Sequence, residues 1–160
     1  MAAVHPDPDD KEETIVQTNI YLVTDNRTPK RKDCSYGYLM EAVDMGNRIG
    51  TAKNWRDCEE DWYGALLRAL VEASGRMKPN HAGTSTVLIV TDCQPLASGV
   101  LSLKRWEQDG WIRSKGRPVK RKEEWKRVAD ALRGYQIAAQ VKGVDFYEDL
   151  LRKGEYDGER

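Results

Sequence analysis

The sequence predicts an α/β domain with about five strands. Two observations carry this. Apolar, β-branched runs at residues 14–24 (TIVQTNIYLVT) and 86–91 (TVLIVT) have the length and composition of strands. Between them, residues 61–73 place Trp62, Ala65, Leu66, Ala69, Leu70 and Ala73 on one stripe of a helix.

The other elements follow in order. Residues 36–43 alternate and form a second strand. Residues 44–47, with Gly46, supply a hairpin turn, and residues 48–53 give a weaker third strand. The fourth strand, 86–91, is continuously apolar and therefore central. Pro95 suits the first turn of a helix, which residues 96–108 support. The stretch 110–118 breaks it, 122–133 is helical up to Gly134, 135–141 is a fifth strand and 145–153 a last helix. Residues 1–13 are expected to be a disordered acidic leader, 14–153 the folded domain and 154–160 a tail.

Composition narrows the function. Among 160 residues, Lys and Arg total 26 and Asp and Glu total 26, which excludes a uniformly basic nucleic-acid coat. It also excludes disorder through net self-repulsion, and 39% apolar residues suffice for one core. No apolar run approaches the roughly 20 residues of a membrane helix, so no membrane partner is expected. The start, MAAVHPDPDDKEE, lacks the features of a signal peptide. Cys34, Cys58 and Cys93 are odd in number and far apart in sequence. They are expected to be free thiols of a reducing compartment, cytoplasmic or nuclear.

Neutrality conceals an asymmetry. Residues 104–127 hold ten Lys and Arg against four Asp and Glu, a net +6, which leaves −6 on the rest. Trp106, Trp111 and Trp125 are interleaved with these cations. Such a segment suits a polyanion groove, where cations meet phosphates and rings meet sugars and bases. A solvated helical face, with the three rings packing it, is the plainer alternative.

Two units of apolar strand, Thr, Asp end the first and fourth strands: Leu22-Val23-Thr24-Asp25 and Ile89-Val90-Thr91-Asp92. Sites in open α/β sheets form at such strand ends. Two neighbouring carboxylates repel unless a cation lies between them, and hard divalent ions suit oxygen clusters. Asp after a strand is also a common turn or cap residue.

A longer pattern resolves this. Thr91-Asp92-Cys93-Gln94, then Trp106, Gly110-Trp111, Pro118-Val119-Lys120, Glu124-Trp125 with Leu132, and Lys142-Gly143 follow one another over about 50 residues. In order and spacing they resemble ribonuclease H of the type with a basic protrusion. The first strand, Tyr36-Gly37-Tyr38 and the helix residues Ala65–Leu70 fall where that family has them, so the resemblance covers about residues 14–152. It implies a five-stranded mixed sheet flanked by helices and a monomer. It also implies a Mg²⁺ (or Mn²⁺) endonuclease that cuts the RNA strand of an RNA–DNA hybrid with two metal ions.

The family's four acidic ligands carry over unequally. Asp25 matches the first and Asp92 the third. The second opens the long helix; strict counting falls on Trp62, and a slip of one residue gives Asp61, followed by Glu60 and Glu59. The fourth opens the last helix, where Asp149 and Glu148 rank equally ahead of Asp145. The expected catalytic set is thus Asp25, Asp61, Asp92 and Asp149, with Glu60 and Glu148 as alternative ligands. Nucleic-acid contacts fall to Arg27, Lys30, Lys104, Arg105, Trp106, Trp111, Lys115, Arg117, Lys120 and Arg121. Three features depart from the family, the third being a shortened loop from Lys142 to the last helix. The glycine-rich first loop is a cationic Asn26-Arg27-Thr28-Pro29-Lys30-Arg31-Lys32, and Val144 replaces the histidine of the Lys-Gly-His motif. These departures leave a non-catalytic binding module as the rival reading, with a nuclease of structured DNA behind it.

Overall fold

The computed structural model describes residues 16–44, 47–80 and 83–154. Five strands form one sheet: β1 (Gln17–Thr24), β2 (Lys32–Asp44), β3 (Asn47–Glu60), β4 (Thr86–Thr91) and β5 (Gln136–Val141). Their order is β3-β2-β1-β4-β5. The β1–β2 and β2–β3 pairs are antiparallel, whereas β1–β4 and β4–β5 are parallel. The helices are α1 (Trp62–Ser74), α2 (Gln94–Gln108), α3 (Lys122–Ala131) and α4 (Asp145–Lys153). This is the mixed sheet flanked by helices that the sequence implies.

The two-residue period of β1 divides the core. Ile20 and Leu22 face a large cluster with Leu66, Leu67 and Leu70 of α1 and Leu96 and Val100 of α2. Tyr21 and Val23 face the opposite side, with Val90, Val144 and Leu151 beneath α4. Val144 is fully buried there, so the position of the missing histidine holds a packing residue.

The tryptophans of the basic segment mainly pack. Trp125 is completely buried, and its indole N–H donates to the Tyr63 hydroxyl at 2.9 Å. Trp106 meets it edge-on, at 5.5 Å between centroids, and Trp111 tilts against Trp106 at 6.4 Å. A side chain at Gly99 of α2 would enter the Trp125 ring, so this glycine sets the close approach of α2 and α3.

Two strand boundaries differ most from the sequence expectation. β2 begins at Lys32 instead of residue 36, and β3 runs to Glu60 instead of ending at residue 53. Consequently Cys58, Glu59 and Glu60 end a strand, and Asp61 caps α1. The cause is that β3 lies at the sheet edge, where charged side chains are tolerated and the apolar alternation is lost. The expected leader, Met45 and Gly46 of the expected turn, and residues 155–160 of the tail lie outside the described residues.

Candidate active site

The two strand-end units are built alike. Thr24 and Thr91 are buried, and each hydroxyl accepts a backbone N–H two residues on: that of Asn26 at 3.3 Å and that of Cys93 at 3.1 Å. These turns end the parallel pair β1–β4 and put Asp25 and Asp92 just beyond it. Asp25 accepts the Ser35 N–H at 2.8 Å, and its own N–H donates to the Ser35 carbonyl at 3.1 Å.

Arg27 gathers acids from two elements. Its Nε donates to Asp92 Oδ2 at 2.7 Å; its Nη2 donates to Glu148 Oε1 at 2.9 Å and to Asp145 Oδ1 at 3.2 Å. Arg152, one turn beyond Glu148 on α4, pairs with Glu148 and lies 3.7 Å from Asp25 Oδ2. Asp25, Asp92, Glu148 and Asp145 are therefore joined through two guanidinium groups. Burial alone would lower the Arg27 pKa, but Asp92 and Glu148 outweigh it and hold the pKa above its ordinary value. Among the described residues, no three acidic, cysteine or histidine side chains are gathered closely enough to hold a metal ion as they stand.

The remaining predicted residues lie apart from these contacts. Asp61 is the N-cap of α1 and accepts the Gly64 N–H at 2.7 Å. Glu60, 5% exposed, receives both terminal nitrogens of Arg121, at 3.0 and 2.8 Å, and lies within 4 Å of Arg31 and Arg68. The Arg121 hydrogen bonds, opposed by burial, hold the Glu60 carboxyl below the usual carboxylate range. Gly64 leaves room for this pair, which a side chain there would meet. Asp149 is exposed, so of the two equal candidates on α4 it is Glu148 that joins the cluster.

Lys30, Lys104, Arg105, Lys115, Arg117 and Lys120 are exposed. Arg121 is committed to Glu60 and to Glu124, at 2.6 Å. It ties the basic segment to the end of β3. That strand end also holds the first loop, because the buried Asn26 amide donates to the Glu60 carbonyl at 2.8 Å. Sequence reasoning missed Arg152, Asn26 and Ser35. The spacing of Glu148 and Arg152, four apart on a helix, was the available signal for Arg152. Ser35 acts through its backbone on β2 and Asn26 through a side-chain turn, and neither leaves a periodic trace. Cys34 and Cys58, far apart in sequence, are cross-strand partners with sulfurs 3.5 Å apart, and both are free thiols.

No protein-family profile matches the chain. A curated ribonuclease H from Paracidovorax citrulli (strain AAC00-1) is 31% identical over 91 residues, 56% of this chain and 52% of that protein. The match thus spans about half the length of that relative. A foamy viral protease–reverse transcriptase solved in complex with dsDNA is similar at TM-score 0.58 and 21% identity, over 91% of this chain and 96% of that one. A structure of the foamy viral protease–reverse transcriptase with RNA/DNA hybrid gives 0.54 at 20% identity, over 94% of this chain and 20% of that one. LC9-RNase H1, a type 1 RNase H with the type 2 active-site motif, gives 0.56 at 20% identity, over 80% and 63%. These structures establish the fold as that of ribonuclease H domains, and the sequence match is to a ribonuclease H over about half of each chain.

Proposed function

We propose that the chain is a divalent-metal-dependent endonuclease that cuts the RNA strand of an RNA–DNA hybrid. One observation carries the reading: Asp25 and Asp92, just beyond β1 and β4, and Glu148 of α4 are linked at the ends of the central parallel strands through Arg27 and Arg152. The donor set fits a hard divalent ion, since every donor is a carboxylate oxygen and the group already attracts positive charge. Asp25, Asp92 and Glu148 would hold Mg²⁺ or Mn²⁺, with Asp145 at the exposed rim and Asp61 and Glu60 as the helix-one candidates. Bound there, such ions lower the pKa of water and stabilise a leaving oxygen.

The chain's other residues would bind and orient the substrate. Lys104, Arg105, Lys115, Arg117 and Lys120 are exposed for phosphate contacts, which fix register without reading bases. Discrimination of RNA from DNA would rest on the 2′-hydroxyls across the wide minor groove. Val144 offers no proton, so transfers fall to solvent or to the carboxylates.

The test is cleavage of an end-labelled hybrid by purified protein with Mg²⁺ or Mn²⁺. Cleavage of the RNA strand that EDTA abolishes, and that duplex DNA competes with poorly, is expected. An intact hybrid, under conditions where a standard ribonuclease H cuts it, overturns the proposal. The guanidiniums of Arg27 and Arg152 within the acidic cluster favour a second reading, a binding module whose acids are neutralised internally. That reading requires salt-dependent hybrid binding, unaffected by EDTA and without cleavage.

A further inference from the structure

The first loop delivers a guanidinium into the acidic cluster and holds it there. Asn26 is completely buried. Its amide nitrogen donates to the carbonyls of Lys30 and Glu60, and its amide oxygen accepts the N–H of Thr28 at 3.1 Å and the Thr28 hydroxyl at 2.7 Å. The Trp62 N–H donates to the Thr28 carbonyl at 2.9 Å, which pins the loop to α1. The backbone is thus fixed on both sides of Arg27. The Arg27 side chain itself stays 35% exposed, so it is reachable from solvent while it forks between Asp92 and Glu148.

We infer that Arg27 is a built-in counter-ion of these acids. In the free protein it takes up Asp92 Oδ2 and Glu148 Oε1, oxygens that a divalent cation needs, and a substrate phosphate draws it away. The inference rests on the reading of this cluster as the hybrid-cleaving site. A carboxylate oxygen that accepts a charge-assisted hydrogen bond is not free to ligate a metal in the same direction. A phosphodiester presents the same pair of oxygens that a guanidinium fork reads on carboxylates. Lys30 and Lys32, exposed and close to Arg27 in sequence, add positive charge for that phosphate. Withdrawal of Arg27 leaves Asp25, Asp92, Glu148 and Asp145 against Arg152 alone, a net negative pocket. By linkage, metal and hybrid then each tighten the other's binding by the same factor.

Two affinities test this on the full chain. Mn²⁺ is titrated calorimetrically into wild type and Arg27→Gln. Hybrid binding is followed by fluorescence anisotropy in EDTA over a range of salt. Arg27→Gln should bind Mn²⁺ about fivefold more tightly, the factor carried by a partly exposed ion pair. It should bind the hybrid more weakly, with the slope of log affinity against log salt smaller by about one. A merely structural loss would weaken both. Arg27→Lys keeps the charge without the fork; it should fall between the two for Mn²⁺ and serves where the glutamine variant does not fold. Unchanged or weaker Mn²⁺ binding in a folded variant overturns the inference, as does the absence of Mn²⁺ binding in every protein. Shifted affinities with an uncut hybrid overturn the cleavage reading alone.

Discussion

At the scale of single residues, neighbours decide what each carboxylate does. Asp61 and Glu148 are both acids near a helix start, yet Asp61 caps a backbone N–H whereas Glu148 meets two arginines. Asp61→Ala should lower stability by about 1 kcal/mol, the usual worth of an N-cap, and Asp61→Asn should restore it. Chemical denaturation checks this, and cleavage by a stable Asp61→Asn protein shows whether that carboxylate also serves the reaction. On α4, Glu148→Gln should lower cleavage by at least about a hundredfold, if a metal ligand is worth several kcal/mol. Asp149→Asn, at an exposed position, should change it little; equal losses would contradict the geometry. Asp25 and Asp92 were legible in the sequence because a strand end is marked by apolar residues followed by Thr-Asp. The choice between Glu148 and Asp149 was not, because one helical step turns a side chain by about 100° and composition does not record that direction.

At the scale of elements, β3 and α3 form one electrostatic unit. Glu60 ends β3, Arg121 precedes α3, and their two-pronged pair holds the basic segment against the sheet. Because the Glu60 pKa is depressed in the folded protein, its contribution is present at neutral pH and fades as pH falls below the usual carboxylate range. Glu60→Gln should therefore cost about 2 kcal/mol near neutral pH, as hydrogen bonds to charged groups do. The gap to wild type should close as the solution is acidified, and thermal melts over a pH series measure it. A gap that stays constant with pH would assign the loss to packing. Trp125→Ala should cost about 3–5 kcal/mol, since the ring is wholly buried and its N–H is bonded to Tyr63. β4 and α4 have the bounds that the pattern predicted, because each keeps one period between clear stops. β3 does not, because Arg56, Asp57 and Glu59 are all exposed on the edge strand, so no two-residue period survives and the stretch mimics a loop followed by a helix start.

At the scale of the molecule, a formal charge of zero divides into a basic arm and an acidic remainder. The fold sets some of these charges against each other, in Arg121 with Glu60 and Arg27 with Asp92, and leaves Lys104, Arg105, Lys115, Arg117 and Lys120 exposed. Hybrid binding should accordingly weaken steeply with salt. The most direct measurement of the central claim is cleavage of a labelled RNA–DNA hybrid by wild type, Asp25→Asn and Asp92→Asn, with hybrid affinity measured alongside. The account predicts Mg²⁺- or Mn²⁺-dependent cutting of the RNA strand by wild type, and its loss in both variants while binding persists. Equal cutting by the variants, or binding without cutting by wild type, would contradict it.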